Sequence, residues 1–193
     1  MPLPLQGHFY FYVMIFETKR LRVRAYTTND GDYFFALNGD ENVMRYIRAA
    51  KTRQECDQFL LETIASYEND KRYGRWAVED KFTGEFVGSF AVIPVEGKEQ
   101  MQLGYALLPA QWGKGYATEL TVAGIEYVFS KTPIDPLYAY TEGPNLPSQK
   151  VLLKAGFKLN GANKDGEKEV VGFVLSKEEY LREKVMIPAT NTY

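Results

Sequence analysis

In this chain of 193 residues, the side chains and backbone groups with chemical potential gather between Leu103 and Phe157. An apolar stretch ends at Pro109, and Trp112-Gly113-Lys114-Gly115-Tyr116-Ala117 then leads straight into a helical pattern. Small residues at such a junction let the backbone approach a ligand, and the first helical turn carries N–H groups with no intrahelical acceptor. That suits a phosphate, which the helix dipole favours by ~0.3–1 kcal/mol at an exposed site. The same residues also read as an ordinary glycine turn. They are not a P-loop, which needs Gly-x-x-x-x-Gly-Lys followed by Ser or Thr, and the third glycine of a dinucleotide fingerprint is missing. Lys114 either adds charge for a phosphate or is a solvated loop lysine. Further on, Glu142 precedes the turn-rich Gly143-Pro144-Asn145-Leu146-Pro147-Ser148, where Asn and Ser also serve as helix-capping or first-turn residues. A single His and a single Cys exclude an internal disulfide and a zinc or iron–sulfur site of soft ligands. His8 stands in the irregular arm outside every motif, so no Ser-His-Asp or Cys-His constellation is arguable with it. Cys56 falls on an apolar helix face without a basic neighbour in its local sequence, the setting of a buried structural thiol.

Alternation and capping signals define the elements that would hold these groups. Arg20 to Arg24 alternates basic and apolar residues with the period of a half-exposed strand. Tyr33 to Leu37 reads as a short helix, and Thr52-Arg53-Gln54-Glu55 as a capping box opening a helix with Cys56, Phe59, Leu60, Ile64 and Tyr67 on one face. Three strands follow in hairpin order: Arg75 to Glu79, Glu85 to Val95 and Met101 to Leu108, the last two apolar on both alternating sets and so covered on both faces. Ala117 to Ser130 is a broad apolar helix and Leu137 to Thr141 a fifth strand. Pro147 to Ala155 is a helix with proline in its first turn, stopped by Gly156. Phe157 to Leu159 pairs with Glu169 to Leu175, and Ser176-Lys177-Glu178-Glu179 caps a last helix running to about Val185. The expected fold class is α/β, a mixed sheet with an antiparallel middle and helices on both faces. Residues 1–13 form an irregular arm and 14–193 one domain.

The order and spacing of these motifs resemble the GNAT (Gcn5-related) N-acetyltransferase superfamily. The resemblance rests on a strand, Pro109, Gln111-Trp112-Gly113-Lys114-Gly115-Tyr116-Ala117-Thr118-Glu119, a strand, Asn145-Leu146-Pro147-Ser148, and Lys154-Ala155-Gly156-Phe157. Within the superfamily the chain looks most like the RimJ and RimL branch of ribosomal-protein N-terminal acetyltransferases. The resemblance implies an acyl-CoA N-acyltransferase fold and acetyl-CoA as cosubstrate, its pyrophosphate held by Trp112, Gly113, Lys114, Gly115, Tyr116 and Ala117. The first position of the family loop, Arg or Gln, is Trp112 here; the recruited groups are chiefly backbone N–H, which Trp keeps. The family's two neighbouring strands splay apart around the pantetheine arm, so backbone groups near Leu107 or Leu108 would pair with it and polarise the thioester carbonyl. Asn145 matches the Asn that bonds the CoA arm. Ser148 matches a Ser near the thiolate, whereas many members use a Tyr one turn later, at the position of Leu152 here. A neutral Ser would chiefly hydrogen-bond the departing thiolate. The Glu that the family often carries on the strand before the loop is Gln102, which cannot accept a proton. Glu142 is the leading substitute as general base, ahead of Tyr140, Glu79 or a water chain.

The implied activity is direct acetyl transfer to a primary amine, either a protein N-terminal α-amine or a small amine. A CoA-binding sensor or structural module that lost turnover is the rival from another class, favoured by Gln102, and an unrelated nucleotide-phosphate binder is a third reading. Composition is globular, with 45% hydrophobic and 25% charged residues. Twenty-three Lys and Arg against 25 Asp and Glu give no broad pull toward nucleic acid or an acidic membrane. The longest apolar run, Phe9 to Phe16, is too short to span a bilayer, and no basic residue precedes Lys19 as in a secretory signal. The expectation is a metal-independent cytoplasmic protein whose partners are acetyl-CoA and an amine acceptor, with self-association into a homodimer left open.

Overall fold

The structure, a computed structural model, describes residues 13–166 and 168–186; His8 and the expected arm, except Val13, lie outside them. The chain opens with β1 (Met14–Glu17) and β2 (Leu21–Arg24), then a 3-10 turn (Thr28–Asp30) and three helices, α1 (Gly31–Asn38), α2 (Glu41–Met44) and α3 (Arg53–Ser66). Strands β3 (Gly74–Asp80), β4 (Phe86–Pro94) and β5 (Met101–Leu107) follow, then α4 (Tyr116–Lys131), β6 (Leu137–Glu142) and α5 (Leu146–Lys154). The hairpin β7 (Lys158–Asp165) and β8 (Lys168–Leu175) leads to α6 (Lys177–Met186). Eight strands form one sheet in the order β1-β2-β3-β4-β5-β6-β8-β7. Every neighbouring pair is antiparallel except β5 and β6. The mixed sheet with an antiparallel middle is therefore as expected.

Helices cover both faces. On one, Trp76, Phe90, Leu103 and Leu107 pack with Leu120, Ile125 and Val128 of α4. On the other, Ala77 and Phe86 meet Phe34 and Leu37 of α1 and Cys56 and Leu60 of α3. Gly124 lets α4 lie close to the sheet, since a Cβ there would come within 2.4 Å of the Phe90 ring. Each fully buried large apolar side chain contributes ~1.5–3 kcal/mol relative to exposure. Cys56 is fully buried. Contrary to the expectation of no basic neighbour, Lys51 and Arg48 act on it, but burial outweighs them and pushes the thiol up, as suits a structural role.

Local signals set the helix starts. Thr52 and Glu55 form their capping box, and the Ser176 hydroxyl accepts from the Glu179 N–H while Glu179 accepts from the Ser176 N–H. At one end of the sheet, Arg24 forks onto both oxygens of Asp30 at 2.8 and 2.9 Å and reaches Glu79 through Nε at 2.9 Å. All three are buried. Glu79 is thus a member of a structural ion-pair network with Arg24 and Arg22, not a group poised to take a substrate proton. Among the described residues, no helix is long and apolar enough to cross a membrane.

Candidate active site

The parallel pair β5 and β6 holds together at one register position, Gln102 opposite Tyr138. Beyond it the strands part. On its other edge β5 stays zipped to β4 through Leu107, opposite Gly88, and the Leu108 N–H continues onto the Val87 carbonyl at 3.0 Å. In an antiparallel ladder the bonded residues alternate. The Leu108 bond therefore turns the backbone groups of Leu107 and Tyr105 the opposite way, into the split. The structure thus separates two residues that the sequence left equivalent: Leu107 faces the gap, whereas the Leu108 N–H is committed to β4. The Leu107 carbonyl accepts from the Trp112 indole Nε1 at 2.7 Å, so the half-exposed Trp112 laces the loop back onto the end of the strand.

Because β5 and β6 run parallel, their C-terminal ends open on the same side, and a helix starts beyond each. After β5, a 3-10 turn (Pro109–Gln111) passes into the glycine loop. Gly113 and Gly115 take φ of 73° and 78°, the left-handed region that favours glycine. Gly115 is the N-cap of α4 and supplies no capping side chain. The backbone N–H groups of residues 113–117 donate to no acceptor among the described residues. Uncommitted donors at a helix start fit a diphosphate. Lys114 stays over this loop, donating to the Gln111 side-chain oxygen at 2.8 Å.

At the other mouth, Asn145 is the N-cap of α5, its Oδ1 accepting from the Ser148 N–H at 3.3 Å. Its Nδ2 makes no bond to a described acceptor. Gln149 fixes this corner by donating to the Gly143 carbonyl at 2.8 Å. Ser148 does more than open a helix: its Oγ lies 3.1 Å from the Tyr105 hydroxyl, joining α5 to β5 across the split. Burial pushes the Tyr105 phenol up, and the Ser148 hydrogen bond offsets only part of this. Leu152, at the position of the family Tyr, is buried in the core. Tyr105 thus brings a phenol to Ser148 from the strand side.

On the opposite face of the split, the period of two gathers Gln102, Gly104 and Ala106 from β5 with Tyr138, Tyr140 and Glu142 from β6. A Cβ at Gly104 would meet nothing within 4 Å, so this face has an open floor. Tyr140 donates to Gln100 at 2.8 Å, a structural tie. Glu142 is paired through Oε1 with Lys168 of β8, and its Oε2 has no described donor.

Two contributors were not anticipated from sequence. Arg20 donates through Nε to Glu119 at 2.7 Å and through Nη1 to the Lys114 carbonyl at 3.0 Å, and lies 4.5 Å from the Tyr116 ring centre. It pins the glycine loop from β2's approach. Burial would raise the Glu119 carboxyl, but the bonds from Thr18 and Arg20 outweigh it and hold it below the usual range. In the sequence Arg20 shows only the alternation of a strand, and the signal for its role is its charge complementarity to Glu119 in the loop motif. Tyr105 falls within the apolar Met101 to Leu108 strand, where nothing marks its hydroxyl.

Residues 20–158 match the sequence profile of the acetyltransferase (GNAT) domain family. The uncharacterized N-acetyltransferase YoaA of Bacillus subtilis is 29% identical over 150 residues, spanning 76% of this chain and 84% of that protein. Among solved structures, RimL, the ribosomal L7/L12 alpha-N-protein acetyltransferase in complex with coenzyme A, superposes with a TM-score of 0.72 at 15% identity, covering 84% of this chain and 97% of that one. The spermidine N-acetyltransferase of Vibrio cholerae, in complex with CoA and spermine, gives 0.69 at 21% identity over 83% and 98%. At these identities the two structures speak for the fold.

Proposed function

The chain belongs to the GNAT acetyltransferase domain family, and on that premise we propose that it transfers the acetyl group of acetyl-CoA directly to a primary amine within a ternary complex. One observation carries this reading: the N–H groups of residues 113–117, without an acceptor among the described residues, sit at the open end of the β5/β6 split. Acetyl-CoA supplies the activated acyl group; the chain's residues hold, align and relieve charge. Gly113 to Ala117 grip the diphosphate, with Lys114 and Arg20 beside them and Asn145 Nδ2 bonding the arm. Leu107 and Tyr105 present backbone N–H groups to the carbonyl oxygen that gains charge. Ser148, backed by the Tyr105 hydroxyl at 3.1 Å, donates to the departing sulfur. Glu142, through its unengaged oxygen, takes the amine proton. Aligning two bound reactants supplies much of the acceleration.

The RimL and spermidine acetyltransferase likenesses name two acceptor classes, a protein N-terminal α-amine and a polyamine, and we place the chain with the RimJ/RimL-like branch. A second reading, a CoA-binding module without turnover, draws on Gln102 in place of the family Glu and on the Glu142–Lys168 pair. Thermal-shift titration with acetyl-CoA, CoA, ATP and NAD, followed by free-thiol release with an amine panel, decides between them. Stabilisation by the two CoA species alone plus catalytic thiol release supports the transferase. Stabilisation without turnover supports the module, and stabilisation by ATP or NAD overturns both.

A further inference from the structure

Outside the residues assigned above, α2's C-terminal extension, α3 and β3 bring three cations around one aromatic ring. The Arg48 guanidinium lies 5.1 Å from the Phe59 ring centre, that of Arg75 5.4 Å, and Lys51 Nζ 5.6 Å. Cation–π contact supports each individually. It does not explain why two guanidinium groups that repel one another share a half-buried site. Neither pairs with a carboxylate among the described residues, and the Arg48 charge acts against that of Arg75. Arg48 donates through Nη2 to Asn38, while its Nε is buried without an acceptor. The Tyr26 hydroxyl is also buried near Arg75, with the Ser89 hydroxyl beside it. Burial pushes Arg75 down to about 10, and Arg48 adds to the fall. A buried charge without a counter-ion is costly, and an arriving anion relieves it.

The sheet places this cluster beside the open floor at Gly104. Arg75 pairs with Ala91, and Ala91 with Gly104, so the three residues form one row on one face. Two strand spacings, ~9.6 Å between Cα atoms, separate Arg75 from the open floor at Gly104. A cleft of about 400 Å³ runs along the Arg75 side, bordered by Phe59, Ser66, Tyr73, Ile93 and Pro94. Of the acids lining this cleft, Asp70 is neutralised by Arg72, while Glu62 accepts from the neutral Gln58 amide and forms no ion pair with Arg75 among the described residues.

We infer that Arg75 and Arg48 form a carboxylate-binding subsite, so that the preferred acceptor is a primary amine carrying a carboxylate several ångströms from its nitrogen. This rests on the transferase reading and selects within it: a polyamine would meet two guanidinium groups, whereas an amino acid or an acidic peptide N-terminus would neutralise them. Arg rather than Lys suits a forked carboxylate contact.

The test measures acetyl transfer to ω-amino acids of increasing length, to their carboxamides, and to short peptides beginning with Asp or Asn, by the intact chain and by Arg75→Met, Arg48→Met and Arg75→Lys. Comparing each carboxylate with its carboxamide across variants cancels the amine's intrinsic reactivity. The preference for carboxylate, as a ratio of kcat/KM, is expected to fall at least about tenfold in Arg75→Met and Arg48→Met. Arg75→Lys should recover part of it, and carboxamide rates should stay within about twofold, which also reports that the variants fold. Preference confined to free amino acids, or to the Asp peptide, identifies the source of the carboxylate; both support the subsite. An unchanged ratio in both Met variants, faster transfer to polyamines, or acetyl-CoA binding with no carboxylate amine acetylated overturns it while leaving CoA binding intact. Failure to bind acetyl-CoA at all overturns the transferase reading itself.

Discussion

Replacing Gly115 by Glu tests the glycine loop most sharply, because its two consequences separate. Gly115 has a φ of 78° at the N-cap of α4, so any L side chain there costs ~1–2 kcal/mol of conformational strain. Strain of this kind lowers stability whether or not ligand is present. The carboxylate adds a second effect aimed at the ligand. At about 5 Å from a phosphate and an effective dielectric near 20, two unit charges repel by ~3 kcal/mol; solvent and salt at this exposed loop bring that to ~2 kcal/mol. Arg20 Nη2 lies 3.5 Å from where the Cβ would stand, while Nε and Nη1 are held by Glu119 and the Lys114 carbonyl, so a carboxylate that turns to Nη2 takes that donor from the phosphate. A loss of ~2 kcal/mol corresponds to acetyl-CoA binding weakened about 30-fold. Gly115→Ala carries the strain without the charge. Isothermal titration should therefore find the Ala variant within about threefold of the parent and the Glu variant about 30-fold weaker, with both Tm values lowered alike. Equal affinities for the Ala and Glu variants would refute a diphosphate at this loop.

Ser148→Ala should lower kcat about 10- to 100-fold, the value of a hydrogen bond to a developing anion, while acetyl-CoA Kd stays within about twofold; Tyr105→Phe should follow in the same direction by a smaller factor. Equal turnover in steady-state kinetics would return Ser148 to a first-turn role. Arg24→Met leaves Asp30 and Glu79 buried without their counter-charge and should destabilise by ~3–5 kcal/mol in denaturant unfolding; a change under ~1 kcal/mol would contradict the buried network. Burial alone would raise the Asp30 carboxyl, but Arg24 and Thr27 outweigh it, so its folded value lies below the ordinary 3.8. A group depressed on folding stabilises fully above its unfolded value and loses that contribution as pH falls through the folded one. Thermal melts should thus drop as pH falls below about 4, and Asp30→Asn should start lower at neutral pH and fall less steeply.

Much of this was legible because it is local. Capping boxes at Thr52 and Ser176 mark helix starts through contacts three residues apart, and the strands of the β3–β5 meander alternate or run apolar as their covered faces require. The short strand β1 leaves no signal in the sequence because Ile15 and Phe16 continue an aromatic run without alternation. The four-residue α2 is set by Asp40 accepting from the N–H groups of Asn42 and Val43, a cap too brief to show a period. β7 extends through Asn160-Gly161-Ala162-Asn163, where the ladder to β8 shifts register after Leu159 and resumes at Ala162, a break that strand periodicity does not show. In the site, the glycine loop was readable from its residue types. The partners of Glu142, Ser148 and Arg20 were not, because Lys168, Tyr105 and Glu119 reach them from elements 26, 43 and 99 residues away. Separation on that scale leaves no spacing rule to read.

The most direct measurement is a crystal structure of the chain with acetyl-CoA. The account predicts the diphosphate bonded to the N–H groups of residues 113–117, with the thioester lying between β5 and β6 within hydrogen-bond reach of Ser148. Those N–H groups turned inward onto protein acceptors, or the coenzyme bound away from the split, would contradict it.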